Sequence, residues 1–157
     1  MKKDSVCFSH KKDDWETPQW LFDQLDKEYH FELDGAATPD NTKVANKFFF
    51  NSLGMSWGKM RIFLNPPYSK IKQFMKKAYD ESLNGAIIVC LIPVRSDTQY
   101  WHDYVMKAHE IRLIRGRLKF GDSKTSAPFP SCVVIFDYNK YDKNNDPIFT
   151  TMDNKPK

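Results

Sequence analysis

Apolar residues recur at helical spacing in three segments of the chain, which predicts three helices. The first follows Thr17 and Pro18, the expected N-cap and first helical position. Its apolar residues are Leu21, Phe22, Leu25 and Tyr29. Those of the second helix are Ile71, Phe74, Met75, Ala78 and Leu83. The third is expected to open with Ser96 and Gln99 as a capping box, and its apolar face is Trp101, Tyr104, Val105 and Ala108.

Short apolar runs alternate with these helices and predict strands. They cover residues 31–34, 62–64, 86–92, 111–114, 118–120 and 132–136. Strands that are apolar on both faces and alternate with helices are typical of a parallel sheet covered on both sides. We therefore predict an α/β fold with a mostly parallel sheet, in which the last two strands form an antiparallel edge hairpin. Ligands of such sheets bind at the carboxyl ends of the strands.

The ends of the chain are polar, so we expect one domain over residues 14–138 and mobile tails at 1–13 and 139–157. The first 14 residues are charged and no apolar run approaches membrane-spanning length, which predicts a soluble, intracellular protein. With 24 Lys and Arg against 20 Asp and Glu, the formal charge of +4 permits a nucleic-acid partner without requiring one.

The strongest candidate for chemistry is Asn65-Pro66-Pro67-Tyr68, which directly follows a predicted strand. A proline-rich turn that only ends the strand is the structural alternative. The position favours a function, because the motif lies where α/β sheets bind ligands and two prolines give a rigid turn.

This motif and its flanks resemble the phage-type DNA N6-adenine methyltransferase family, in which an NPPY motif binds the target amine. The resemblance covers about residues 14–137. It rests on Trp15-Glu16-Thr17-Pro18 and on residues 33–37, 65–68, 95–101 and 115–136. It implies an abbreviated Rossmann-like class I methyltransferase fold, S-adenosylmethionine as cofactor, DNA as partner, and the cytoplasm of a bacterial host as location.

The chemistry of that family assigns a role to each residue of the motif. The side-chain oxygen of Asn65 and the carbonyl of Pro66 would accept the two N–H groups of adenine N6 and stabilise the positive charge that develops there. Pro67 completes the rigid turn, and Tyr68 would stack on an adenine that has left the duplex. The methyl group of the cofactor is already activated, so alignment is the main requirement and no metal is expected.

The resemblance places the cofactor next to Asp34, which would bind its amino-acid part directly or through water. Gly35 and Ala36 would allow close backbone approach, although residues 35–37 depart from the common GxG loop. Trp15, Thr17, Pro18 and Asn65 complete the expected cofactor contacts. Helix capping, a strand-end turn and core packing remain structural alternatives for Thr17, Asp34 and Trp15 respectively. A short βα unit is expected near residues 47–50, and the ribose ligand is left between Asp40 and Asn41.

A basic stretch follows the third helix: residues 107–124 contain six Lys or Arg against Glu110 and Asp122. If the substrate is DNA, such residues are candidates for phosphate contacts, whereas a solvated face is the alternative. The predicted DNA-binding residues are Arg95, Arg112, Arg115, Arg117 and Lys119. The loop at 123–131, with Phe129 between two prolines, is a further candidate for base or backbone contacts.

Other functions remain open at this point. The same motif would serve RNA adenine, cytosine N4 or a protein glutamine, and only the flanking resemblance favours DNA adenine. A non-catalytic DNA-binding protein with the same fold is a second possibility. A metal nuclease using Asp13, Asp14 and Asp34 is a third, but the spacing of these residues does not match a metal site.

Overall fold

A computed structural model describes residues 15–37, 41–44, 52–141 and 146–156. Within them the helices are α1 (Gln19–Tyr29), α2 (Ile71–Leu83) and α3 (Gln99–Asp103). The strands are β1 (Leu33–Asp34), β2 (Arg61–Leu64), β3 (Ile87–Pro93), β4 (Glu110–Ile114), β5 (Ser131–Asp137) and β6 (Ile148–Met152). Predictions for residues 1–14, for Asp40 and for the unit at 47–50 lie outside the described residues.

The six strands form one mostly parallel sheet in the order β1-β2-β3-β5-β4-β6. Strands β1, β2 and β3 are parallel, β5 is antiparallel to both β3 and β4, and β6 is parallel to β4. The predicted α/β class is therefore confirmed. All strands except β5 end at the same edge of the sheet, which brings Asp34, Asn65, Arg95 and Arg115 to that edge.

Helices cover both faces of the sheet, as the sequence predicts. The apolar side chains of α1 pack on one face with Phe63, Val89 and Val133, while α2 and α3 pack on the other with Ile62, Ile88 and Val134. Alternation along the strands divides them between the two layers. Leu83 is the exception among the predicted helical core residues, since 44% of it is exposed at the end of α2.

Both predicted helix caps are wrong. Pro18, not Thr17, is the N-cap of α1, and its carbonyl accepts hydrogen bonds from the backbone N–H groups of Leu21 and Phe22. Helix α3 begins after Thr98, whose side chain bonds back to the Arg95 carbonyl, so Ser96 and Gln99 form no capping box. No side chain therefore caps the first-turn N–H groups of α1 or α3 by a hydrogen bond.

The end of the sheet also differs from the prediction. Residues 118–120 are a loop whose apolar side chains pack on the α1 layer, and Leu118 accepts a backbone bond from Ala127. Strand β6 lies within the segment expected to be a mobile tail and pairs with β4. The expected edge hairpin of residues 118–120 with 132–136 is therefore not formed, and β5 instead pairs antiparallel with β3 and β4 inside the sheet. The β-branched and aromatic residues of β6 favour a strand even though polar residues precede them.

Candidate functional site

Asn65 lies at the carboxyl end of β2, next to the end of β1. Its side-chain Nδ2 donates to the backbone carbonyl of Trp15 and to the Thr17 hydroxyl oxygen, the latter at 2.9 Å. A carbonyl only accepts hydrogen bonds, so the Trp15 contact fixes which end of the amide is the nitrogen. The Oδ1 atom lies at the other end of the amide, where it is available to accept an N–H from a ligand.

The two prolines lead into α2 through a single turn of 3-10 helix at Tyr68–Lys70. Pro66 is buried, Pro67 is extended, and the Pro67 carbonyl accepts a bond from the Lys70 N–H at 3.0 Å. A carbonyl oxygen has two lone pairs with which to accept hydrogen bonds. The Pro66 carbonyl thus offers a second acceptor on the residue next to Asn65.

Four aromatic rings form a cluster beside this turn: Trp15, Tyr68, Phe120 and Phe129. The rings of Trp15 and Tyr68 are nearly parallel, with centroids 6.2 Å apart and planes at 20°. Phe129 meets both edge-on, at 5.1 Å from Trp15 and 5.4 Å from Tyr68. Sequence reasoning gave Phe120 no site role; the signal for it is that apolar residues alternate with cations at 117–120.

The Tyr68 hydroxyl is buried and has no hydrogen-bond partner among the described residues. Burial raises the pKa of Tyr68 well above its usual range, so the hydroxyl stays neutral. An unpaired buried hydroxyl costs free energy. Tyr68 therefore contacts its surroundings through its ring, which packs against Trp15 and Phe129, and not through its hydroxyl.

Asp34 is a buried acid at the end of β1, with only 4% of it exposed. Its carboxylate accepts the backbone N–H of Ala36 at 3.4 Å and that of Lys43 at 3.1 Å. Burial outweighs these bonds and raises the pKa of Asp34 to about 6. The Lys43 ammonium pairs with Glu16 instead, and no cation in the described ranges forms an ion pair with Asp34. At neutral pH this carboxylate is thus a buried charge that a cationic ligand would neutralise.

Gly35 packs tightly against β2. A Cβ at this position would lie 3.1 Å from Ile62 Cγ2 and 3.3 Å from Leu64 Cδ1. The backbone of Gly35 also donates to Phe63, and its carbonyl accepts a bond from the Ser52 hydroxyl. Packing on β2 therefore accounts for the glycine without a cofactor. Ala36, the next residue in the chain, is half-buried, and Asn41, a candidate for the ribose contact, is exposed.

The loop that follows β4 carries exposed cations at the same edge as Asn65. Arg115, Arg117, Lys119 and Lys124 are all exposed, and we call residues 115–124 the basic loop. The segment at the end of β6 supports it: Met152 accepts the backbone N–H of Arg115, and the Asn154 amide donates to the Arg117 carbonyl at 3.2 Å. The basic loop is therefore attached to the sheet at its start.

Arg112 differs from these cations, and its prediction as a phosphate contact needs correction. It lies in the middle of β4, and its side chain donates to both carboxylate oxygens of Glu28 on α1 at 2.7 Å. It also contacts Glu110 at 2.9 Å, and only 16% of its side chain is exposed. The guanidinium thus ties α1 to the sheet. Arg95 is more accessible, at 32% exposure, and pairs with the exposed Asp97.

Metal-binding and membrane-spanning features are both absent from the described segments. No group of three or more His, Cys, Asp or Glu side chains is arranged to bind a metal ion there. No helix in those segments is long and apolar enough to cross a membrane.

A mostly parallel sheet with helices on both faces, a fixed amide in a Pro-Pro turn and a buried acid one strand away is consistent with a Rossmann-like methyltransferase. Residues 4–156 match the family described as DNA N-6-adenine-methyltransferase (Dam). The chain is 31% identical over 137 residues to the DNA N-6-adenine-methyltransferase of Haemophilus phage HP1, covering 80% of this chain and 79% of that protein. It is 35% identical over 112 residues to the DNA N-6-adenine-methyltransferase of Escherichia phage T1, covering 68% of this chain and 47% of that longer protein. The chain belongs to the DNA N-6-adenine-methyltransferase family.

Proposed function

We propose that this chain transfers a methyl group from S-adenosylmethionine to the N6 amine of adenine in DNA. Its family supports the reaction, and the fixed orientation of the Asn65 amide at the ligand edge of the sheet is the observation that carries it. We place the reaction in the cytoplasm of a bacterial host, because the two relatives are phage proteins and the DNA substrate lies in that compartment.

Asn65 and Pro66 prepare the amine for attack. The lone pair of adenine N6 is delocalised into the ring, which makes the free amine a poor nucleophile. Two acceptors, Asn65 Oδ1 and the Pro66 carbonyl, draw the N–H groups out of the ring plane and localise the lone pair. The same two dipoles stabilise the positive charge that forms on nitrogen. An amide has no useful basicity, so Asn65 acts by hydrogen bonding and not as a general base. As the N–CH3 bond forms, the bond from the methyl group to sulfur would break and leave a neutral thioether, and the extra proton on N6 would be released to water after the transfer.

Asp34 fits the cationic end of the cofactor. S-adenosylmethionine supplies an activated methyl group and carries an ammonium on its amino-acid part. The buried Asp34 carboxylate has no counter-ion among the described residues, and an ammonium would neutralise it. Ala36 lies on the loop that Asp34 orders, and Trp15 and Pro18 lie in the segment that contacts Asn65. We place the cofactor between the ends of β1 and β2, beside these residues.

Tyr68 and the aromatic cluster would receive the base. An adenine inside a duplex is out of reach of Asn65, so it must leave the stack. Tyr68 is three residues from Asn65, and its ring offers an aromatic face on which a flipped base would stack. The basic loop and Arg95, at the same edge, would contact the phosphates on either side.

The test of this proposal is a methyl-transfer assay with radiolabelled S-adenosylmethionine. Purified protein is incubated in turn with DNA, with RNA and with a protein extract treated with nuclease. We expect label in DNA only. Label in RNA or protein with none in DNA would support the alternative substrates, and cofactor-independent DNA binding without transfer would indicate a non-catalytic DNA-binding protein.

The basic loop gives a prediction about salt. We expect Arg115→Ala, Arg117→Ala and Lys119→Ala each to weaken DNA binding. Each should also reduce the slope of log affinity against log salt by about one unit for every phosphate that the variant no longer neutralises. Cofactor affinity should stay unchanged. Fluorescence anisotropy of a labelled duplex at several salt concentrations measures the DNA affinity and its slope.

Two matched variants control this experiment. Lys140→Ala removes an exposed cation after β5, which ends at the opposite edge of the sheet, and should leave the salt slope unchanged. Arg112→Ala should instead lower the free energy of unfolding by about 1–2 kcal/mol, since charged hydrogen bonds disappear but the exposed Glu28 is partly screened. A normal salt slope in all three loop variants would show that the loop is only a solvated surface.

Asp34 gives a prediction about pH. Its pKa is raised to about 6 from 3.8, so the folded protein loses stability as pH rises from about 4 to 6 and stays at the lower level above. Asp34→Asn removes this cost but keeps only one of the two acceptors. We expect the variant to be more stable than the wild type at pH 7.5 by about 1–2 kcal/mol and to lose this advantage at pH 4.5. Urea unfolding at the two pH values measures the difference.

The same variant should bind S-adenosylmethionine at least about tenfold more weakly at pH 7.5, because the carboxylate–ammonium attraction is absent. Asp80→Asn, an exposed acid on α2, is the matched control and should change neither quantity. If Asp34→Asn bound the cofactor as tightly as the wild type, Asp34 would not bind the cofactor. Its role would then be only to order the loop through its bonds to the Ala36 and Lys43 N–H groups.

A further inference from the structure

The segment before α1 reaches across the chain to the candidate catalytic amide. Thr17 is separated from Asn65 by 48 positions, yet its hydroxyl oxygen lies 2.9 Å from Asn65 Nδ2. The Trp15 carbonyl accepts from the same nitrogen. Thr17 is only 3% exposed, so this contact is shielded from water. Both N–H groups of the Asn65 amide thus donate hydrogen bonds to the segment 15–17.

Thr17 can make this contact because it does not cap the helix. Pro18 is the N-cap of α1, and no side chain there caps the helix by a hydrogen bond. A threonine at the start of a helix usually bonds to the N–H groups of the first turn. Here the hydroxyl is directed to Asn65 instead.

The orientation of this amide decides what a ligand meets. The two ends of an asparagine side chain have nearly the same shape but opposite hydrogen-bonding character. If the amide turned over, Nδ2 would face the amine of the substrate and two donors would oppose each other. The Trp15 carbonyl only accepts, so it favours the orientation in which Oδ1 faces the substrate, and the Thr17 hydroxyl adds a second hydrogen bond that holds the amide in place.

We propose that Thr17 is a positioning residue that holds the Asn65 amide in place through its hydroxyl, instead of a cofactor contact. The proposal rests on the proposed function in one respect, namely that Oδ1 of Asn65 accepts from the substrate amine. Thr17 touches neither substrate nor cofactor in this account, and it acts only through Asn65.

The test compares Thr17→Val, which keeps the shape but removes the hydroxyl, with Thr17→Ser, which keeps the hydroxyl. Each is made in the wild type and in Asn65→Ala. The matched control is Thr150→Val, which removes a hydroxyl bonded at 2.8 Å to Glu110 in another part of the fold. Single-turnover methyl transfer to an adenine-containing duplex is measured with saturating S-adenosylmethionine, and cofactor affinity is measured by calorimetry.

We expect Thr17→Val to lower the transfer rate about fivefold to tenfold, the usual value of one neutral hydrogen bond. Thr17→Ser should retain at least about half of the rate, and Thr150→Val should match the wild type. In the Asn65→Ala background Thr17→Val should have no further effect, because the group through which it acts is gone. A full additional loss in that background, or a loss confined to cofactor affinity, would overturn the proposal.

A second measurement separates this proposal from the proposed function. The side-chain NH₂ signals of Asn65, identified by their disappearance in Asn65→Ala, report the hydrogen bond without catalysis. We expect Thr17→Val to shift them and speed their exchange with solvent, while Thr17→Ser does so much less. If no methyl reaches DNA but these signals respond, the reaction assignment fails and the positioning role stands. If transfer occurs and the signals of Thr17→Val match the wild type, the positioning role fails.

Discussion

Asn65→Ala is expected to lower the single-turnover rate of methyl transfer by about a hundredfold or more, as for the loss of one preorganised polar group at a reacting centre. The substitution removes the Oδ1 acceptor from the end of β2 and leaves the neighbouring turn in place. Folding should survive, because the Pro66–Pro67 segment does not depend on this side chain, and saturating cofactor offsets any affinity lost with the contacts to Trp15 and Thr17. Rapid quenching with saturating cofactor measures the step without a contribution from binding.

Asn65→Asp should have an intermediate rate. It keeps one oxygen to accept from the amine, but its second oxygen replaces Nδ2 and faces the Trp15 carbonyl, an acceptor that it does not satisfy. The control is Asn84→Ala, an exposed asparagine at the end of α2, which should match the wild type. Rates close to the wild type for both Asn65 variants would show that this amide does not bind the amine.

Tyr68→Ala is expected to reduce turnover strongly, since stacking of a base on an aromatic ring contributes about 1–3 kcal/mol. Tyr68→Phe should retain most of the activity. Its hydroxyl is buried without a partner among the described residues, so removing it should leave the free energy of unfolding unchanged or slightly higher. Turnover on a duplex substrate and thermal unfolding measure the two effects.

The matched control for Tyr68 is Tyr138→Ala, which removes an exposed tyrosine after β5. Its turnover should equal that of the wild type. A Tyr68→Phe variant as inactive as Tyr68→Ala would mean that the hydroxyl contributes to the reaction and that the stacking account is incorrect.

Local patterns predict the central part of this fold well. The spacing of Leu21, Phe22 and Leu25 identifies α1, and the apolar run before Asn65 identifies β2, because each pattern is set by burial of one face or both. The position of the NPPY motif at a strand end is likewise visible in the sequence. These features depend on neighbours within a few residues.

Contacts between distant residues account for several of the errors. Thr17 resembles an N-cap until its contact 48 positions away is known, and Arg112 resembles a free cation until Glu28, 84 positions away, is seen beside it. Residues 118–120 have the composition of a strand because a loop packs there on the α1 layer. In each case the residue type suits the local role that was predicted for it. A tertiary contact gives the residue a different role.

The most direct test of the account is the identity of the methylated nucleoside. DNA treated with the wild-type protein and S-adenosylmethionine is digested to nucleosides and analysed by mass spectrometry, with Asn65→Ala as the parallel sample. We expect N6-methyldeoxyadenosine from the wild type and a strongly reduced amount from the variant. N4-methyldeoxycytidine in its place, or equal N6-methyldeoxyadenosine from both proteins, would contradict the assignment of Asn65 to the adenine amine.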